Sequence, residues 1–243
     1  CAHLVEVGVD EKRALLGYDR TTGWVEVVER EIEEGDVVVG ETSSGSPNWS
    51  HLISFELDGA SKLLCYGAES GQFRLGTFAS DDPDVAPPFL GQWPVGFSRL
   101  VVLKSEAPAV ESLRVLTLQG TTLELYERQT DDSFVSVGRG SLNQVGFKPT
   151  DSLFTSFSKD GQPRLVAYDP TNGSVRSGAL DVTEDGALSF GVVDLNTWPG
   201  GLTALESTVV DGVPVALIYN ESTGSLDVFG LDPLEHTEPP VVR

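Results

Sequence analysis

Three tryptophans stand beside groups that could help them do chemistry. Trp49 lies in Asn48-Trp49-Ser50, Trp93 in Gln92-Trp93-Pro94-Val95-Gly96, and Trp198 in Asn196-Thr197-Trp198-Pro199-Gly200. A degenerate fourth copy, Asn143-Gln144-Val145-Gly146-Phe147, puts Phe147 in the aromatic place. An indole next to an amide suits a sugar, because the ring stacks on apolar C–H faces while the amide hydrogen-bonds hydroxyls. The same ring suits a joint between sheets, where it wedges two apolar surfaces together. Large residues at such joints usually serve the core, so the wedge is the favoured reading. Trp49, Trp93, Phe147 and Trp198 remain the candidate positions for contact with a ligand or partner.

Catalysis finds little support. The three histidines, His3, His51 and His236, fall near a terminus or in loop-flanked segments without a neighbouring nucleophile motif. No GxSxG, HExxH, P-loop or GxGxxG pattern occurs. No catalytic residue, cofactor or metal site is assigned. There is no CxxC or Cys/His spacing for zinc, and the acidic turns lack the alternating carboxylates that calcium needs.

Charge narrows the partners. Asp and Glu number 37 against 16 Lys and Arg, a formal charge of −21, so the chain as a whole repels nucleic acid and anionic membrane surfaces. The same shell stays hydrated and can steer a basic partner. No apolar run approaches the roughly 18 residues that span a bilayer as a helix.

The numbering starts at Cys1-Ala2 and the chain holds no methionine, which suggests processing from a longer precursor. This start resembles the mature N-terminus of bacterial lipoproteins. The resemblance implies a lipid on Cys1, membrane attachment through that lipid, and an extracytoplasmic location in the bacterial cell envelope (periplasmic or outer-membrane) or at the cell surface. The competing readings are an ordinary chain end or a disulfide with Cys65. Cys65 itself lies in the apolar run Lys62-Leu63-Leu64-Cys65-Tyr66 and reads as a small buried hydrophobe.

These residues sit on a repeat. Four segments share an apolar strand ending in Tyr, then a polar turn closed by Gly: Leu15 to Gly23, Leu63 to Gly71, Leu165 to Gly173 and Ala216 to Gly224. The tyrosines at 18, 66, 168 and 219 step by 48, 102 and 51, so the double step predicts a hidden copy near residue 117, in Leu113 to Gly120. Asp or Asn can cap such a turn through its side chain, and Gly supplies the positive φ that closes it. Each copy adds a strand before the run, as Ile53-Ser54-Phe55-Glu56-Leu57, an alternating strand after it, as Ser225-Leu226-Asp227-Val228-Phe229, and in most copies a fourth, as Ser133 to Val137 or Ala187 to Val193.

Four-stranded units near 50 residues that cannot bury both faces alone predict an all-β fold: a five-bladed β-propeller of four-stranded antiparallel blades. It is read as one domain over 1–243, with approximate repeats 4–46, 47–91, 92–142, 143–196 and 197–243. The fifth repeat shows three strands, and its closure by Pro239-Pro240-Val241-Val242 is left open. The segments 80–88 and 105–111 and the tail from Leu231 read as loops.

Repeat length, the Tyr-turn-Gly hairpin and Trp49, Trp93 and Trp198 resemble the tachylectin-type five-bladed lectins. That resemblance implies amino-sugar sites in clefts between neighbouring blades. The leading expectation is a non-catalytic, lipid-anchored accessory or interaction subunit of a membrane or cell-surface assembly, with a protein partner. A carbohydrate-binding lectin with a glycan ligand is the alternative.

Overall fold

The computed structural model describes residues 2–9, 12–19, 21–22, 25–30, 37–42, 48–57, 60–77, 89–103, 113–145, 153–210 and 212–231. Cys1, Phe147 and His236 lie outside them, as do the loops expected at 80–88 and 105–111 and the tail beyond Leu231. Among the described residues all regular structure is strand, apart from one short 3₁₀ turn at Leu142–Val145.

Residues 1–97 form one unit with two sheets. Sheet 1 is β1 (Ala2–Val9), β2 (Lys12–Asp19), β3 (Val25–Arg30) and β4 (Val37–Thr42), each pairing antiparallel with the next. Sheet 2 is β5 (His51–Leu57), β6 (Ala60–Tyr66), β7 (Gln72–Thr77) and β8 (Phe89–Gln92), in the same meander.

Residues 98–243 form the second unit with three sheets. Sheet 3 is β9 (Arg99–Leu103), β10 (Arg114–Gln119), β11 (Thr122–Arg128) and β12 (Phe134–Ser141). Sheet 4 is β13 (Leu153–Lys159), β14 (Gln162–Tyr168), β15 (Ser174–Val182) and β16 (Leu188–Thr197). Sheet 5 has only β17 (Ala204–Val210), β18 (Val213–Asn220) and β19 (Ser225–Gly230) among the described residues.

The expected strands are thus present, including the hidden copy, which is β10. Successive sheets pack through their first strands, β1 on β5 in one unit and β9 on β13 on β17 in the other, a propeller-like arrangement. One expectation is corrected: among the described residues complete four-stranded blades number four, not five. The residues after Leu231, where closure of the fifth repeat was left open, lie outside the described ones.

The pattern of burial explains the sequence pattern. Leu165, Val166, Ala167 and Tyr168 of β14 are all buried, because sheet 4 lies between two apolar layers. Leu165 and Ala167 join Leu116, Leu118, Leu123 and Leu125 of sheet 3, while Val166 and Tyr168 join Ala216, Ile218 and Phe229 of sheet 5. A second strand covered on both faces therefore reads as a continuous apolar run rather than an alternation.

The β15–β16 hairpin is long and reaches across the outer strand of sheet 3. The N–H of Arg139 donates to the carbonyl of Gly186 at 2.9 Å, and Arg139 forms a parallel bridge with Ala187. A Cβ on Gly140 would fall 2.2 Å from the Leu188 carbonyl oxygen, so only glycine permits this approach.

Candidate functional site

The junctions between sheets are built from the last residue of the second strand outward. Tyr66 closes β6 and Tyr168 closes β14. Each is followed by a turn whose glycine, Gly71 at φ 72° or Gly173 at φ 74°, has its N–H bonded back to the carbonyl of Gly67 (2.7 Å) or Asp169 (2.8 Å). In the second turn the Asp169 carboxylate also accepts from the N–H of Thr171 at 2.9 Å. Asn220 does the same for Ser222 at 3.0 Å, as the Asp/Asn reading of these turns expects.

The glycine carbonyl then receives the tryptophan that ends the sheet. The N–H of Trp93 donates to Gly71 at 2.9 Å, and that of Trp198 to Gly173 at 2.8 Å. A Cβ on either glycine would strike the tryptophan carbonyl oxygen, at 2.3 Å and 2.0 Å.

Proline comes next, and its free carbonyl takes the tyrosine hydroxyl. Tyr66 donates to Pro94 at 2.7 Å and accepts from the N–H of Phe97 at 3.3 Å. Tyr168 donates to Pro199 and accepts from the N–H of Leu202 at 3.4 Å. Between these contacts the chain turns at Gly96 (φ 85°) and Gly201 (φ 79°). Burial raises the pKa of both phenols above the ordinary 10.0, with the amides of Phe97 and Leu202 pulling the other way. Both hydroxyls are therefore neutral, and both are engaged as donor and acceptor.

The rings are enclosed. Trp93 is 4% exposed and stacks on Phe73 at 4.3 Å, and Trp198 is 3% exposed and lies between Tyr168 and Phe229. Trp49, 9% exposed, fills a different slot from the one its sequence suggests. It follows the positive-φ Asn48 (85°), as Phe97 follows Gly96, and its N–H donates to the Tyr18 hydroxyl at 3.0 Å. Trp49 packs with Leu16, Tyr18 and Cys65. Phe147 is outside the described residues; the residue that follows the fourth strand of sheet 3, where Trp93 and Trp198 stand in theirs, is Leu142, fully buried. Trp93 and Trp198 belong to equivalent junctions, one in each unit.

Sequence reasoning missed a second repeated contact. Ser156 of β13 donates its hydroxyl to the Val102 carbonyl of β9, and Ser207 of β17 donates to the Ser156 carbonyl. Thr155 adds a bond to the Ser207 hydroxyl at 3.1 Å. All three are buried, so these bonds tie first strands together where an unpaired hydroxyl would cost stability. The signal was present: Ser54, Ser156 and Ser207 each precede the repeat tyrosine by 12 residues.

Cys65 is a free, buried thiol whose pKa is pushed up to about 12 by burial. His51 is half-buried with its ring 5.9 Å from that of Tyr66. Among the described residues no group of His, Cys, Asp and Glu is placed to hold a metal ion.

The exposed apolar surface lies elsewhere. On β16, Val192, Val193 and Leu195 are 40%, 59% and 70% exposed. Tyr219 and Leu226, paired across β18 and β19, are also open to solvent.

Antiparallel four-stranded sheets, joined by buried and repeating junctions, define a propeller-like all-β protein. No protein-family model and no curated protein matches the chain. Among solved structures it is similar to the crystal structure of BBS1N in complex with ARL6DN, soaked with mercury, at 15% identity and a TM-score of 0.47. That match covers 94% of this chain and 60% of the other, so the chain spans less than two thirds of that neighbour's length. A likeness this faint leaves the fold resting on the sheets themselves. The comparisons show no link to the tachylectin-type lectins.

Proposed function

We propose that this chain is a non-catalytic protein-interaction module, an accessory subunit of a larger assembly. The observation that carries the reading is the apolar surface of β16, where Val192, Val193 and Leu195 are open to solvent while the large aromatics of the junctions are buried. Scattered exposed apolar residues need no explanation, but three within four positions on an outer strand mark a contact surface. Trp49, Trp93 and Trp198 are buried among neighbouring aromatic and aliphatic side chains, which supports the outer strands as the surface that meets other molecules.

The test is the mass of the protein isolated natively under mild conditions. An accessory subunit elutes in a stoichiometric complex well above 26.0 kDa. Elution as a 26.0 kDa monomer under every mild condition tried would remove the reading.

A further inference from the structure

We propose that the outer edge of β16 is a strand-addition site for an extended basic and apolar segment of a partner protein. This rests on the accessory-subunit reading and names its surface.

β16 is the last strand of sheet 4; its start lies against β12, and no described strand pairs with its outer edge beyond Leu188. The nine residues from Ser189 to Thr197, with one bulge at Val193, give an edge of roughly 30 Å at about 3.3 Å each. Native proteins blunt such edges with short strands, Lys, Pro or a covering element. Two other described outer strands follow that practice. β8 has four residues, and β12 carries Arg139 between two glycines and is bridged by Ala187. Leu188–Thr197 contains no Lys, Arg or Pro, has Asp194 as its single charge, and exposes Val192, Val193 and Leu195. An edge that would invite aggregation if left open is one that a partner covers.

Charge selects the occupant. The β15–β16 hairpin carries Asp181, Glu184, Asp185 and Asp194 against Arg176 alone, on a chain of net charge −21. A second copy would bring the same carboxylates to the same edge and be repelled. A strand alternating Lys or Arg with β-branched residues would meet opposite charge and supply the missing backbone hydrogen bonds.

The experiment uses the full chain and a synthetic decapeptide of five Lys-Val repeats, with a version carrying Pro in place of every second Val as the control. Binding is read by fluorescence anisotropy, and its location by amide hydrogen exchange. The expected result is slowed exchange confined to 188–197, weakening by roughly tenfold from low to high salt, and no binding of the proline peptide. The double variant V193K/L195K changes two exposed side chains, melts with the wild type and loses at least about tenfold in peptide affinity.

Protection elsewhere, no protection, or equal binding of the proline peptide overturns the proposal. So does a concentration-dependent dimer that protects β16, which would make a second copy the occupant. A native complex that survives V193K/L195K intact removes this edge but leaves the accessory-subunit reading standing. A protein that is monomeric in every native isolation removes that reading itself.

Discussion

Sheets 3 and 4 adjoin in the chain and fill the same three positions with different chemistry. Sheet 4 ends its second strand with Tyr168, follows its fourth strand with Trp198, and places Ser156 on its first strand. At the matching register, sheet 3 has Leu118, Leu142 and Val102. All six are buried. Sheet 2 sides with sheet 4, with Tyr66, Trp93 and Ser54. Between these two sheets the replacement is complete at every position, whereas sheet 1 combines Tyr18 with Glu6 at the serine register. Positions filled so differently within one chain do not offer the same ligand contact in every sheet.

Removing the largest ring should have the largest effect. Trp198→Ala opens a cavity among Tyr168, Phe229 and Leu202 and should cost about 3–5 kcal/mol, whereas Leu142→Ala should cost about 2–4 kcal/mol. Urea unfolding of the two variants measures both. If Trp198→Ala were instead neutral, the indole would not be a structural wedge, and the contrast between the sheets would have another origin.

The hydroxyl comes next. Tyr168→Phe leaves the Pro199 carbonyl and the Leu202 N–H without their partner, a loss of about 1–3 kcal/mol. Tyr219 holds the same place near the end of the second strand of sheet 5 but is 40% exposed, so Tyr219→Phe should stay within about 0.5 kcal/mol. The same contrast has a pH signature. Burial raises the folded-state pKa of Tyr66 and Tyr168 above the ordinary 10.0. Above that pH the unfolded chain releases protons that the folded chain still holds. Stability is therefore complete below about pH 10 and declines as pH rises through and past it. Melts between about pH 8 and about pH 11 should show a shallower alkaline decline in Tyr168→Phe than in the wild type.

The elements were legible in the sequence wherever burial imposed a pattern. Leu63-Leu64-Cys65-Tyr66 and Leu165-Val166-Ala167-Tyr168 are second strands because both faces are covered, and the glycine-closed turns follow from Gly71 and Gly173 at positive φ. Even Leu113 to Gly120, which lacks the tyrosine, was found by its spacing. The junction slots were less legible. Trp49 looks like Trp93, but four residues separate the slots they fill, and only the hydrogen bonds of Tyr18 and Tyr66 reveal it. Leu142 carries no aromatic signal, and Phe147 lies outside the described residues. The β16 surface was not legible at all, because Val192, Val193 and Leu195 read as ordinary strand residues until their neighbours are known.

The smallest expected effect tests whether the hydroxyl belt belongs to the same exchange. Ser156 donates one hydrogen bond, to the Val102 carbonyl, whereas Tyr168 serves two backbone groups. Ser156→Ala deprives that carbonyl of its donor and should cost about 1 kcal/mol, below the tyrosine variant. Ser54 holds the same register in sheet 2 but is half-buried, so water can replace more of what its hydroxyl supplies, and Ser54→Ala should cost less. Urea midpoints with unchanged slopes give both values. If the two substitutions were equal, burial would not govern the contribution of the belt. If Ser156→Ala exceeded Tyr168→Phe, the first strands rather than the tyrosine junctions would be the stronger tie between sheets.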